Sequence, residues 1–342
     1  MKKILKPISR IYQTGMSLRN ILYIKKIITS HNPPLFTVSV GNISWGGTGK
    51  TPVCHWLLEL AHSLKKKTML LSRGYKGKPP HYPYITDENS QAQFSGDEPL
   101  MLKLLCKDTH VIVDPKRERA IEFGWRLFKP DIAILDDGFQ YLKLKRHLNI
   151  LIFSANDLIY NWNKIIPYGT WREDKSAINR SDVILVNTTG HSNNDVLKYI
   201  EKYILPFKKP IYTFRTYIKS IVSITDFKKD INLPNKNYLL VVGIANPKKV
   251  YVSICEFLGT PPKIFLTYPD HYNYKQNDWD KIEYQAQKNN CIILTTLKDA
   301  VKLKKFSQNF FALNVKIDFI DKFNTTKDLE EVFIEAYEKY KK

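Results

Sequence analysis

The sequence predicts an α/β protein: a doubly wound, mostly parallel sheet carrying a phosphate-binding loop, followed by a second, smaller α/β domain. Three observations predict it. Short apolar runs alternate with helix-length segments along most of the 342 residues, the pattern of a parallel sheet covered by helices on both faces. The glycine-rich run Gly46-Gly47-Thr48-Gly49-Lys50-Thr51 stands between one such run and a helix-like segment. After about Pro210 the texture changes and a second, shorter strand–helix alternation begins.

The first segment is a basic amphipathic helix, residues 1–28. Ile4, Ile8, Ile11, Leu18 and Leu22 recur at helical spacing with Gly15 in register. Lys2, Lys3, Lys6, Arg10, Arg19, Lys25 and Lys26 all precede the first acidic residue, Glu59. An apolar stripe beside unopposed cations fits an anionic membrane surface; the plain alternative is a helix packed on its domain. Pro7, Ser9 and Arg10 interrupt any apolar signal-peptide core, and no run of about 18 apolar residues predicts a transmembrane span.

Residues 29–209 read as the nucleotide-binding domain. A buried strand is predicted at 35–40, then the glycine-rich loop, a helix at 50–64 and a strand at 68–72. Residues 73–95 lack periodicity and read as a long loop. Strands follow at 110–114, 132–136, 149–154 and 182–186. Residues 210–342 form the smaller domain, opened by two short strands, 211–216 and 221–224, as a hinge. Strands at 238–243, 263–268, 291–296 and 310–315 follow, then a charged helix from 327. The cysteines, Cys54, Cys106, Cys255 and Cys291, form no CxxC pair and read as reduced thiols. The formal charge of +20 points to a polyanionic partner, but no nucleic-acid-binding motif accompanies it, so nucleic acid is not expected.

The loop is the most informative element. Glycines let backbone N–H groups turn towards phosphate oxygens, and the helix that follows adds positive partial charge. Lys50 is placed to reach the terminal phosphates of a nucleotide and the Thr51 hydroxyl to ligate Mg²⁺. Ser44 stands where the usual motif has its first glycine. In Asp131-Ile132-Ala133-Ile134-Leu135-Asp136-Asp137-Gly138 an apolar strand ends in two carboxylates, an arrangement that holds magnesium beside such a loop. Successive strand residues face opposite ways, so Asp136 and Asp137 are equal candidates.

Such a loop shows nucleotide use, not a reaction. In collinear order the chain also carries Ser17-Leu18-Arg19-Asn20, Val40-Gly41-Asn42, Ser72-Arg73-Gly74-Tyr75, Gly96-Asp97-Glu98-Pro99, Asp114-Pro115-Lys116-Arg117 and Asp136-Asp137-Gly138-Phe139-Gln140. Trp171-Arg172-Glu173, Gly243-Ile244-Ala245-Asn246-Pro247, Pro269-Asp270-His271 and the stretch from Thr296 to Leu303 complete the series. In this succession the chain resembles the tetraacyldisaccharide 4'-kinase family of lipid A assembly over nearly its whole length. It departs from that pattern at Tyr141, where the family has His, at Lys76 and at Leu297, where the family has Glu.

The resemblance implies ATP and Mg²⁺ as cofactors. It implies a tetraacylated glucosamine disaccharide 1-phosphate as acceptor, phosphorylated on its 4'-hydroxyl, and a location at the cytoplasmic face of the inner membrane. A sugar hydroxyl needs a base late in the transfer. Asp97, expected at a helix N-terminus, is that candidate, and the resemblance pairs it with His271. Because Asp97 and His271 fall in different domains of this linear reading, the pair is expected to span them. Glu98 is a further candidate for magnesium, Arg117 and Arg119 for phosphate, and Arg73 and Gln140 for lining the site. Two other readings fit the loop less well. A ParA-like ATPase switch would carry a lysine where this chain has Trp45. A kinase or ligase of a soluble metabolite has no need of the amphipathic first helix.

Overall fold

The computed structural model describes residues 2–225, 227, 230–231 and 237–342. Met1 and the side chains of Lys2, Lys3, Ile4 and Asn193 also lie outside the described residues. The chain forms two compact units. The first comprises Met1–Arg73, Asp114–Thr216 and Ile317–Lys342, and the second Gly74–Val113 and Tyr217–Lys316.

Helix α1 (Lys2–Ile24) leads into strand β1 (Phe36–Gly41), helix α2 (Lys50–Ser63) and β2 (Thr68–Ser72). Next come β3 (Tyr84–Thr86), the short α3 (Ala92–Ser95), α4 (Asp97–Leu105), β4 (His110–Val113), α5 (Arg117–Phe128) and β5 (Ile132–Asp136). The chain continues through β6 (Leu148–Ser154), α6 (Ala155–Ile159), β7 (Val183–Asn187), α7 (Asn193–Tyr203) and β8 (Ile211–Ser223). It closes with β9 (Tyr238–Val242), α8 (Pro247–Leu258), β10 (Ile264–Thr267), α9 (Gln276–Lys288), β11 (Ile292–Thr296), α10 (Leu297–Leu303), β12 (Phe311–Phe323) and α11 (Leu329–Lys341).

In the first unit the strand order is β8-β7-β6-β1-β5-β2. The pairs β1–β5, β1–β6, β2–β5, β6–β7 and β7–β8 are all parallel. Every residue of β1, β5 and β7 is buried, as a strand covered by helices on both faces requires. Helix α2 turns Val53, Cys54, Leu57, Leu58 and Ala61 inward at helical spacing. A core of Phe139, Phe153, Trp171 and Ile178 fills the space against β6 and β7.

In the second unit β10, β9, β11 and β12 are neighbours in parallel pairs, and β3 pairs antiparallel with β4. Tyr238, Leu240, Val242, Ile254 and Leu294 form its core. Its helices carry legible ends. Asn246 caps α8 by accepting from the Lys249 N–H, with Pro247 at the first turn and Gly259 closing the helix at φ 70.

The structure revises three expectations. Residues 73–95 contain β3 and α3. The two short strands expected at 211–216 and 221–224 are one strand, β8, of 13 residues. Residues 74–113, grouped with the nucleotide-binding domain in the linear reading, belong to the second unit.

Helix α1 has its polar side towards the body of the first unit. Ser9 donates to the Ile165 carbonyl, Gln13 and Ser17 to Asp174, and Asn20 to Glu173. The Arg19 guanidinium donates to the Gln140 carbonyl at 2.6 Å. Ile8, Ile11, Leu18, Ile21 and Ile24 are exposed, Ile11 at 75% and Ile24 at 68%. An ordinary surface helix has the opposite orientation. Among the described residues, no helix is long and apolar enough to cross a membrane.

Candidate active site

The first group of site residues surrounds the start of α2. Gly49 precedes the helix at φ 95, and a β-carbon there would meet the Asn187 Nδ2 at 2.8 Å. Only glycine fits both the backbone and the space. Asn187 Nδ2 donates to the Thr48 carbonyl at 3.0 Å, and Asn42 Nδ2 to the Thr48 hydroxyl at 3.1 Å. Gly46 and Gly47 have open space around them. Ser44 is buried and its hydroxyl donates to Asp157 at 3.0 Å. The departure from glycine there is therefore an anchor for the loop.

Lys50 Nζ donates to Asn42 Oδ1 at 3.2 Å and lies 3.4 Å from Asp137 Oδ1. Arg172 donates to the Asn42 carbonyl at 2.9 Å and its Oδ1 at 2.7 Å, and lies 3.5 Å from Asp137. Asp137 has a positive φ of 52, uncommon outside glycine and best tolerated by Asp and Asn. Burial raises its pKa, but Lys50 and Arg172 more than offset this, so it stays below the ordinary carboxylate value. Asp136 is buried, with the Ser72 hydroxyl 3.3 Å from Oδ2 and the Cys54 thiol 3.9 Å from Oδ1. The two adjacent aspartates thus have different surroundings. Thr51 is the second residue of α2.

The remaining candidates of this unit are also placed. Arg117 opens α5 and is buried; NH1 donates to the Pro115 carbonyl, and the guanidinium lies 5.0 Å from the Tyr141 ring centre. Its backbone N–H donates to the Tyr141 hydroxyl, which itself donates to Glu118. Burial lowers the Arg117 pKa, against the pull of Tyr141, Asp136 and Asp137. Tyr141, the family departure, is therefore a support beneath Arg117. Arg119 forms a two-pronged pair with buried Asp114, Nε to Oδ2 at 2.7 Å and NH2 to Oδ1 at 2.9 Å. Arg73 follows β2 and is exposed. Gln140 donates to Glu173 Oε1 at 2.7 Å, and Arg180 NH2 to Glu173 Oε2 at 2.8 Å.

The second group lies wholly within the second unit. Gly96, at φ 84, turns the chain into α4, so that Asp97 is the helix's first residue. Asp97 Oδ2 lies 3.0 Å from His271 Nδ1 and 3.6 Å from Lys302 Nζ. Burial raises the Asp97 pKa; the His271 hydrogen bond and the charges of Lys302 and Lys298 outweigh it, and the net shift is downward. His271 itself adopts φ 58, and the Tyr75 ring meets it edge-on at 5.2 Å. Lys302 lies 2.9 Å from Asp299 Oδ1, and fully buried Asp299 also accepts from the Gly243 N–H, the Tyr274 hydroxyl and Thr296. Glu98 lies 3.5 Å from Lys298. The expectation that Asp97 and His271 belong to different domains is corrected: both belong to the second unit, because 74–113 does.

Sequence reasoning assigned no role to Asn42, Arg172, Glu173, Lys298 or Lys302, although each sits in or beside a quoted motif. Each stands in or beside a motif that no helix or strand period explains.

The comparisons with known proteins agree in one direction. The family model described as Tetraacyldisaccharide-1-P 4'-kinase, LpxK, matches residues 1–334. The tetraacyldisaccharide 4'-kinase of Flavobacterium johnsoniae is 34% identical, covering 94% of this chain and 94% of its own length. That of Oleidesulfovibrio alaskensis is 33% identical, covering 88% and 83%. The crystal structure of LpxK from Aquifex aeolicus in complex with ATP aligns at a TM-score of 0.78 and 27% identity, over 98% of this chain and 99% of that one. With the match running over nearly its full length, the chain belongs to the tetraacyldisaccharide-1-phosphate 4'-kinase family and is a kinase of lipid A assembly.

Proposed function

We propose that the glycine-rich loop binds ATP with magnesium and that Asp97 is the base that deprotonates the 4'-hydroxyl. The observation that carries this reading is the 3.0 Å contact between Asp97 and His271: a carboxylate held ionised and oriented by an imidazole. Backbone N–H groups of the Gly46–Thr51 loop (46–51) and the Lys50 ammonium bind the donor's phosphates. Thr51 and Asp136, a hydroxyl and a carboxylate, are oxygen donors of the kind magnesium takes alongside phosphates and water. When bound, the metal neutralises charge on the β- and γ-phosphates. Asp137 and Arg172 hold Lys50 and Asn42 in position before ATP arrives.

In the transfer, the 4'-oxygen forms a bond to the γ-phosphorus while the bond from that phosphorus to the β-bridging oxygen breaks. The hydroxyl proton passes to the Asp97 carboxylate and ADP leaves. Arg117 is the candidate for contact with phosphate; Arg119 has its fork committed to Asp114, which gives it a supporting part.

The acceptor is an acylated disaccharide, and α1 is the element suited to its surroundings. We infer that its outward apolar side lies in the headgroup region of an anionic, cytoplasm-facing membrane surface, with Arg10 beside it and Lys6 over the Tyr168 ring at the helix's inner edge.

Two variants test the chemical reading. Lys50→Ala should lower turnover by roughly 10²-fold or more through loss of charge stabilisation. Asp97→Ala should lower turnover by about 10²–10⁴-fold with nucleotide affinity nearly unchanged. Retention of turnover by Asp97→Ala would remove it as the base.

A further inference from the structure

We propose that Lys298 is a positioning residue for the kinase reaction: its ammonium fixes His271 as the neutral tautomer whose proton is on Nδ1, aimed at Asp97. This deepens the assignment of Asp97 as base and rests on it.

The argument starts from donor and acceptor inventories. An ammonium has three donors and no acceptor. Lys298 Nζ lies 3.0 Å from His271 Nε2, so Nε2 must offer its lone pair. The ring's proton then sits on Nδ1, which faces Asp97 Oδ2 at 3.0 Å. The other neutral tautomer would set an N–H against the ammonium and a lone pair against the carboxylate. The imidazolium would keep the first of these clashes. One cation thus selects one of three states of the ring, and the partner of one ring nitrogen decides the state of the other.

The surroundings keep Lys298 in place. Asp270 accepts from it at 3.2 Å and Glu98 lies at 3.5 Å. The charged groups that face the ring or its partners are Asp97, Asp270, Glu98, Lys298 and Lys302. Lys298 follows Leu297, a buried residue where the family has Glu. In this chain the carboxylates touching Lys298 therefore come from α4 and from the turn before His271, not from its own helix. Among the described residues His271 and Lys302 both reach Asp97 through Oδ2, and Oδ1 is the oxygen proposed to accept the hydroxyl proton.

The test is nitrogen NMR of the full chain labelled at histidine, with the His271 signals assigned by their loss in His271→Gln. The wild type should show a protonated Nδ1 and a bare Nε2 at His271. Lys298→Met should shift the ring towards the Nε2-protonated form and lower kcat roughly 10–100-fold, the range typical of a group that orients another. Its KM for ATP should change less than about twofold, since the nucleotide loop is not altered. Lys298→Arg, which keeps a donor, should restore the wild-type tautomer and most of the rate. An Nε2-protonated wild type, or an unchanged tautomer in Lys298→Met, overturns the proposal. If Lys298→Met does not fold, Lys298→Ala takes its place, and an unchanged tautomer there overturns the proposal. If Asp97→Ala keeps its turnover while Lys298→Met loses the tautomer, the assignment of the base has failed and the role of Lys298 on the ring has not.

Discussion

Asp97 and His271 lie 174 positions apart in sequence yet share a contact of 3.0 Å. If they act as one unit, the double variant Asp97→Ala/His271→Ala should lose about as much turnover as the worse single variant, roughly 10²–10⁴-fold. Steady-state rates of the four proteins measure this, and losses that multiply would show that the two side chains act independently. The same carboxylate has a consequence for stability. Its pKa in the folded protein is below the ordinary value, because the His271 hydrogen bond and the Lys302 and Lys298 charges outweigh burial. A depressed carboxylate stabilises the fold above its unfolded pKa, and that contribution drains away as the pH falls through the lower, folded value. From about pH 5 downward, wild type should therefore lose stability faster than Asp97→Asn, which has no such proton to take up. Urea midpoints at a series of pH values check this; parallel loss in the two proteins would contradict it.

The elements show which information the sequence holds and which it does not. The nucleotide loop was legible because its chemistry is contiguous: strand, glycines, lysine and helix follow one another. The partners that hold it were not, since Arg172 reaches Asn42 across 130 positions and no local period announces it. The same holds for residues 74–113, which join the second unit although they lie between two segments of the first. Helix α1 was legible as amphipathic, yet which side faces out is decided by partners. Ser9, Gln13, Ser17 and Asn20 find acceptors on the body, whereas Ile8, Ile11, Ile21 and Ile24 stay exposed. Ser17, Arg19 and Asn20, part of a motif that carried the resemblance, are therefore docking residues. If the exposed side meets a membrane, two classes of variant should separate. Lys6→Glu with Arg10→Glu should weaken binding to anionic vesicles about tenfold or more at low salt, and less at high salt, since each basic residue contributes about 1 kcal/mol there. Ile11→Ser with Leu18→Ser should weaken it at both salts, because apolar burial is not screened. Co-sedimentation measures both. Equal binding by all the proteins would leave α1 as a packed structural element.

At the scale of the whole molecule, each of the two units carries its own group of polar residues. The first carries the phosphate loop, the paired aspartates and α1; the second carries Asp97, the proposed base, with His271, Lys298 and Lys302 around it. The pairing of Asp97 with His271 was legible only through the family resemblance, since a lone histidine in a turn is no signal by itself. Lys298 and Lys302 were hidden by their ordinary appearance on a short helix, where lysines usually face solvent. Family membership defines the reaction class, and the acceptor's 4'-hydroxyl is where the transfer must end. The most direct measurement is transfer from ATP labelled on its γ-phosphate to tetraacyldisaccharide 1-phosphate in mixed micelles, with the product's phosphates located by NMR. Wild type should give one labelled phosphate per lipid, at the 4'-position, and both Lys50→Ala and Asp97→Ala a near-complete loss of it. Hydrolysis of ATP with no label in the lipid, or label at another hydroxyl, would contradict this.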